Sequence, residues 1–120
     1  MKRQKSLPHR EANKETTSVD DPSTVLAVLA DEHAREILSA TGYHPQSAEE
    51  LVATCDLSLS TIYRKVDRLV ELGLLAEQFQ PSTEGRHRRE YQSNVDSLEL
   101  TYTSADQFTL KITWRDRDTY

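Results

Sequence analysis

One stretch of the chain places hydroxyl and cationic side chains together at helical spacing. From Ser58 to Leu72 the apolar residues recur every three or four positions, which predicts an amphipathic helix. At about 100° per residue, a separate polar face forms. It carries Ser60, Thr61, Arg64, Lys65 and Arg68. Hydroxyls and cations contact phosphates, and an arginine fork also matches the edge of guanine, so this face predicts contact with double-stranded DNA.

The side chains of this face are expected to take different roles. Arg64 is the first choice for a guanine contact, because it lies one turn after the hydroxyls and offers a bidentate fork. Ser60 and Thr61 sit where a short hydroxyl reaches a phosphate. Lys65 and Arg68 flank Arg64 and are expected to touch the DNA backbone.

The rest of the same helix leaves alternatives open. Ser58 is expected both to cap the helix and to belong to the DNA-binding surface. Tyr63 lies near the edge of the apolar stripe, where its ring either packs on the domain or presses on a base or sugar. The alternative for the whole face is an ordinary solvated surface, in which Asp67 and Glu71 pair with the neighbouring cations.

A second group of cations follows Gly85, in a turn-rich loop between two predicted strands, Leu74–Gln80 and Arg89–Val95. The group consists of Arg86, His87, Arg88 and Arg89. A hairpin directly after a DNA-reading helix forms a wing, and its cations are expected to reach the minor groove or adjacent phosphates. The alternative is a solubilising loop, since Glu84 and Glu90 weaken the positive patch.

Local signals divide the chain before the wing into helices. Asp21-Pro22 predicts a helix start, and the following helical pattern breaks near Asp31. Ser47 and Glu50 form a capping box for a short helix. The turn at residues 56–57 then leads to the Ser58 cap, and Gly73 stops the polar-faced helix. Helix, short turn and helix make a helix-turn-helix pattern.

The two ends of the chain differ from this middle part. Residues 1–20 are polar and are expected to be disordered, either as a plain solvated tail or as a basic arm on DNA phosphates. Residues 21–95 are expected to form the winged domain. In residues 96–120, apolar residues alternate on both sides of a turn, which predicts a β-hairpin. Its apolar face either adds a layer to the winged domain or, together with the helix around Val25–Leu29, serves as a dimerisation element, with Phe108 and Trp114 as anchors.

Composition narrows the classes of function. The chain has 120 residues and a net charge of −5, so a DNA site must be a local basic patch on an acidic body. Cys55 is the only cysteine, which excludes an internal disulfide and favours a reducing compartment. No apolar run is long enough to span a membrane and no secretory signal is present, so a soluble cytoplasmic protein is expected.

Neither a metal site nor a catalytic site is expected. The four histidines are scattered and show no ligand spacing, so neither a metal nor another cofactor is predicted. Glycine-rich phosphate loops, GxSxG and HExxH are all absent from the sequence, so no enzyme is expected. Cys55 is interpreted as a small core residue at a helix end, with a redox sensor as the alternative.

Three stretches carry a resemblance to a known family, and it covers Thr24–Val95. They are LADEHAREIL (29–38), SAEELVATCDLSLSTIYRKVDRL (47–69) and ELGLL (71–75). The chain resembles the ArsR-like winged helix-turn-helix regulators, in particular the small single-domain kind of halophilic archaea. The resemblance implies an α+β fold with three or four helices, a β-wing and here an added C-terminal β-hairpin. It does not imply metal sensing, because Cys55 has no partner cysteine or nearby histidine.

The sequence therefore predicts a sequence-specific DNA-binding transcription regulator. Its recognition helix, Ser58–Leu72, is expected to lie in the major groove, with the wing at 81–89 on adjacent backbone or minor groove. A homodimer on a two-fold operator is expected, because helix-turn-helix proteins usually place two such helices about one DNA turn apart. The alternative from another class is a winged-helix module that binds a protein partner and reads no DNA.

Overall fold

The computed structural model describes residues 14–19, 21–81, 87–103 and 107–116. Four helices and six strands lie within these ranges. They are β1 (Thr16–Val19), α1 (Ser23–Leu29), α2 (Glu32–Ala40), β2 (Gln46–Ser47), α3 (Ala48–Cys55), α4 (Leu59–Glu71), β3 (Leu75–Pro81), β4 (His87–Ser93), β5 (Val95–Thr103) and β6 (Gln107–Trp114). The chain divides into two compact units: a helical unit, Ser23–Asn94, and a sheet unit, in which residues 1–22 and 95–120 are grouped. The predicted α+β class is confirmed.

The helix-turn-helix is built from the capping residues that the sequence indicated. Ser47 Oγ accepts a hydrogen bond from the Glu50 backbone N–H at 3.1 Å, and Glu50 Oε1 accepts one from the Ser47 N–H at 2.9 Å. The capping box that begins α3 is thus confirmed. Asp56 ends α3 in the left-handed region, with φ 57°. Ser58 then caps α4 by accepting from the Thr61 N–H.

The apolar stripe of α4 forms the centre of the helical unit. Ile62, Val66 and Leu69 are fully buried. Gly73 has φ 80°, a conformation that glycine adopts without strain, and it ends the helix as predicted. The Leu74 N–H donates to the Leu69 carbonyl and the Gly73 N–H to the Val70 carbonyl, which is the Schellman pattern. This turn leads the chain from α4 directly into β3.

The wing is part of a three-stranded antiparallel sheet with the order β2-β4-β3. Its register places Tyr91 of β4 opposite Glu77 of β3 on one side and Gln46 of β2 on the other. Tyr91 and Leu75 are buried, so the base of the wing belongs to the core of the helical unit. The two-residue strand β2 was not predicted, and it connects the start of α3 to the wing. The wing tip, residues 82–86, lies outside the described residues.

The C-terminal hairpin is present, and it forms a larger sheet than predicted. Its strands β5 and β6 pair antiparallel, and β1 pairs with the other edge of β6. The segment expected to be disordered up to residue 20 therefore contains a strand at its end. The Trp114 N–H donates to the Glu15 carbonyl and the Trp114 Nε1–H donates to Thr17 Oγ1, each at 2.9 Å. These bonds hold the polar β1 on β6 although β1 brings almost no apolar surface. Residues 1–13, the rest of the proposed arm, lie outside the described residues.

None of the helices in the described ranges combines the length and the apolar character that crossing a membrane requires.

Candidate nucleic-acid interface

The solvent-facing side of α4 carries the side chains that were predicted to read DNA. Ser60, Tyr63, Arg64 and Arg68 are exposed, while the opposite stripe is buried. The Arg64 guanidinium makes no ion pair or hydrogen bond within the part of the chain that the structure describes. Arg64 is thus presented to solvent with its donors available to a ligand.

The hydroxyls at the start of α4 form a small hydrogen-bonded group. Ser58 Oγ accepts from the Thr61 N–H at 3.2 Å and lies 2.9 Å from Thr61 Oγ1. Ser60 Oγ lies 3.4 Å from Ser58 Oγ. Ser58 and Ser60 are exposed and Thr61 is half-buried. The cap uses one acceptor of Ser58, which leaves Ser60 as the most accessible hydroxyl for a phosphate.

Lys65 is directed toward another helix. Its Nζ lies 2.5 Å from an Asp31 carboxylate oxygen, and both side chains are partly buried. Asp31 is also the N-cap of α2, where its other oxygen accepts from the His33 N–H at 3.3 Å. The hydrogen bond from Lys65 is the main cause that lowers the pKa of Asp31. Lys65 therefore ties α4 to α2, and its predicted contact with the DNA backbone requires the ammonium to leave Asp31.

Arg68 makes a local pair of the kind that the solvated-face alternative predicts. Its Nη1 lies 2.7 Å from Glu71 Oε1, three residues on along α4. Both side chains are largely exposed. An exposed pair of this type contributes little free energy, so it leaves Arg68 able to exchange Glu71 for a phosphate.

Arg88 connects the wing to the first helix of the helix-turn-helix. One guanidinium nitrogen lies 2.7 Å from Glu50 Oε2 and donates to Ser47 Oγ at 3.3 Å. A weaker contact joins Arg88 to Glu90 at 3.5 Å. The pKa of Glu50 is lowered first by the hydrogen bond from the Ser47 backbone and then by Arg88. Arg88 thus reinforces the capping box and orients the wing relative to α3.

Arg89 lies on the other face of β4, within a cluster that reaches α4. Its Nε lies 3.2 Å from Glu77 Oε2, and its guanidinium lies 5.5 Å from the centre of the Phe79 ring. The Tyr91 hydroxyl and the Glu77 carboxylate raise the pKa of Arg89 above its ordinary value. Tyr63 of α4 is a minor further cause that raises the pKa values of Arg89 and Tyr91.

The cluster contains one buried polar atom with no good partner. Burial raises the pKa of Tyr91, and the nearby guanidinium of Arg89 partly offsets this effect. Although Arg89 approaches it, the Tyr91 hydroxyl makes no hydrogen bond of acceptable geometry within the described ranges. A buried hydroxyl without a partner costs free energy, so the Tyr91 hydroxyl lowers the stability of the fold under the wing.

Other predicted residues lie apart from these groups. Arg86 and the His87 side chain lie outside the residues that can be described, although His87 begins β4. Cys55 is half-buried at the end of α3, and burial together with the charge of Glu36 raises the pKa of its thiol. A raised pKa disfavours the reactive thiolate. No cluster of metal-ligating side chains occurs among the described residues.

Sequence analysis did not identify the acidic partners of the cations that it assigned to DNA contact. Asp31, Glu50 and Glu77 each neutralise a cation that was assigned to DNA. The first two are far from their partners in sequence, and spacing gives no signal for such pairs. Glu77 was within reach of prediction, because counting back from the hairpin turn places it on the same face of the wing as Arg89 and Tyr91.

Comparison with known protein families agrees with this architecture. A family model described as a helix-turn-helix domain matches residues 29–78, from the end of α1 into β3. No curated protein matches the chain. The helix-turn-helix match indicates a DNA-binding regulator in general terms.

Proposed function

We propose that the protein is a sequence-specific transcription regulator that binds double-stranded DNA as a homodimer. In this proposal α4 lies in the major groove, with Arg64 at a base edge and Ser60 and Thr61 at phosphates. The observation that carries the proposal is the state of Arg64. It projects from the exposed face of a helix whose other face is buried, and no described residue occupies its donors.

The remaining cations are proposed to add affinity by exchanging partners. Lys65, Arg68, Arg88 and Arg89 are each held by a carboxylate in the protein without DNA. A phosphate can replace a carboxylate on an exposed arginine at small cost, because exposed pairs contribute little. The acids that are released then face an anionic duplex. We therefore expect weak non-specific binding, and we expect specificity to depend mainly on Arg64 and the positioning of α4.

The test is binding of Arg64→Ala to a cognate site and to its single-base variants. The cognate site is first selected from random duplexes with the unmodified protein. Loss of a bidentate base contact should cost about 1–3 kcal/mol and relax discrimination at one base position. Arg68→Ala is the matched control on the same face, and it should weaken all sequences equally. An equal loss on every sequence for Arg64→Ala would instead make Arg64 a phosphate contact.

A protein-binding role is the second candidate, and one observation favours it. Leu59 and Tyr63 on the outer face of α4 are exposed at 40% and 37%, which offers apolar surface to a partner. Mobility-shift assays at several salt concentrations separate the two roles. DNA binding that weakens steeply with salt supports the regulator. Absence of binding to any selected duplex supports the protein-binding module.

A further inference from the structure

Among the described strands, the sheet unit has one long edge without a neighbouring strand. In the order β1-β6-β5, strand β5 is an edge with nine residues, whereas the other edge strand has four. No described strand pairs with the outer side of β5. Proteins usually protect such edges with proline, lysine or bulges. Strand β5 has neither proline nor lysine, and its one irregularity lies at its start, between Val95 and Ser97.

Apolar side chains are exposed next to this edge, at the tip of the β5–β6 hairpin. Leu100, Tyr102 and Phe108 are 48%, 60% and 45% exposed, and the rings of Tyr102 and Phe108 lie 5.3 Å apart. Farther along the same face of β6, Leu110 and Ile112 are buried. The uncovered part of the apolar face is therefore confined to the tip of the hairpin and borders the open edge.

We propose that a second copy of this chain pairs antiparallel along β5, with a two-fold axis at Leu100. The two sheets would join into one continuous six-stranded sheet, and backbone hydrogen bonds along the edge would hold it together. This contact specifies the interface of the homodimer in the proposed function. Its biological role rests on that proposed function. The contact is expected to form in the absence of DNA.

The residue pattern of β5 is self-complementary in this register. With Leu100 facing Leu100 of the second copy, Leu98 faces Tyr102 and Glu99 faces Thr101 across the new pair. All the apolar residues then lie on one face, next to each other and to Phe108, and no two carboxylates are opposite.

Two kinds of neighbouring register are poorer. If Leu100 faced Glu99 or Thr101 of the second copy, the apolar residues of the two copies would lie on opposite faces of the sheet. A shift of two residues toward the start of β5 would place Glu99 directly opposite Glu99 of the second copy. Like charges directly opposite each other destabilise a strand pair. The charge pattern therefore disfavours that register. The register with Thr101 on the axis brings no like charges together, and cross-linking at residue 100 distinguishes it from the register with Leu100 on the axis.

A charge-exchange experiment tests the contact in solution without DNA. Sedimentation equilibrium of the full chain at micromolar concentration should show a dimer. Leu100→Lys and Leu100→Glu each place like charges on the axis and should weaken self-association by about tenfold or more. A mixture of the two variants should restore a dimer, because a lysine then faces a glutamate. Restoration also shows that both variants fold. A monomeric wild type, or two variants that remain dimeric alone, would overturn the proposal.

Cysteine cross-linking tests the register. In a Cys55→Ala background, Leu100→Cys should form a disulfide dimer on mild oxidation, because residues opposite each other have Cα atoms about 4.5–5.5 Å apart. Glu99→Cys is the matched control, since its copies would be offset along the strands and too far apart to bridge. Rapid cross-linking at residue 99 and slow cross-linking at residue 100 would refute the two-fold axis at Leu100.

Failure of the β5 contact can be distinguished from failure of the proposed function. If the protein dimerises along β5 and binds no selected duplex, the contact stands and the regulatory function fails. If the protein binds DNA and Leu100→Lys loses affinity only for two-fold sites while keeping half-site binding, both stand. DNA binding by a protein that is monomeric at all concentrations removes both the contact and the homodimer, and leaves only the reading of DNA by α4.

Discussion

Substitutions at Asp31 can separate the two kinds of contact that this residue makes. Asp31→Asn keeps an oxygen to accept from the His33 N–H and removes the charge that faces Lys65. Asp31→Ala removes both. The Asp31–Lys65 pair is partly exposed, so its loss should cost about 0.5 kcal/mol of unfolding free energy. Loss of the cap adds about 1 kcal/mol, giving about 1.5 kcal/mol for Asp31→Ala.

Chemical and thermal unfolding measure these differences. At about 4–8 °C per kcal/mol for a small domain, Asp31→Asn should lower Tm by about 2–4 °C and Asp31→Ala by about 6–12 °C. In a Lys65→Met background, Asp31→Asn should have almost no effect, since the charge it removes no longer has its partner. Asp67→Asn on the exposed face of α4 is the control for loss of a carboxylate in general. Equal losses for Asp31→Asn and Asp31→Ala would refute the capping role.

The same pair predicts the direction of a pH effect. The pKa of Asp31 is lowered from the ordinary 3.8, so the folded state binds its proton less readily than the unfolded state. The stabilisation is therefore present above about pH 3.8 and is lost as pH falls through the lower folded-state value. Asp31→Asn should lack this component. A difference between wild type and Asp31→Asn that stays constant across the acid range would contradict the assignment.

Three further predictions concern Tyr91, Cys55 and the arginines of the wing. Tyr91→Phe should leave the unfolding free energy unchanged or raise it, because the hydroxyl it removes is buried without a good partner; a loss of about 1.5 kcal/mol or more in urea unfolding would show a real hydrogen bond. Cys55→Ala should leave DNA binding and the response to oxidants intact, and oxidant-dependent release that disappears in this variant would make Cys55 a sensor. Replacing Arg86, Arg88 and Arg89 with Gln should flatten the dependence of log K on log salt by roughly one unit per lost phosphate contact, and an unchanged slope would place the wing away from DNA.

Local signals were sufficient to predict the helices of the helical unit. Ser47 with Glu50, and Ser58 with its N–H partner, act within a few residues of chain, so their hydrogen bonds follow from sequence alone. Gly73 likewise has the positive φ that its place after the apolar stripe indicated. The break near Asp31 also occurs, with Asp31 as the cap of the next helix.

Features that depend on distant residues were not predictable. Strand β2 has two residues, which is too short for any periodicity to show. Strand β1 has a polar sequence and is ordered by hydrogen bonds to residues near 113, which no local pattern indicates. The same reason hid the acids that hold Lys65 and Arg88. The proposed DNA-binding surface was therefore predicted as a set of cations, without the ion pairs that occupy most of them.

The sheet unit is built from two segments that are distant in the chain, and this affects the order in which the protein folds during synthesis. The helical unit is one continuous segment, Ser23–Asn94, and all its internal pairings are complete when residue 94 has left the ribosome. The pairing of β1 with β6 joins residues as far apart as Thr16 and Thr113. Such a non-local contact requires a long loop to be closed first, so it forms later than the local pairings. The newly made protein should thus pass through a stage in which the helix-turn-helix is folded and β1 is not yet paired with β6.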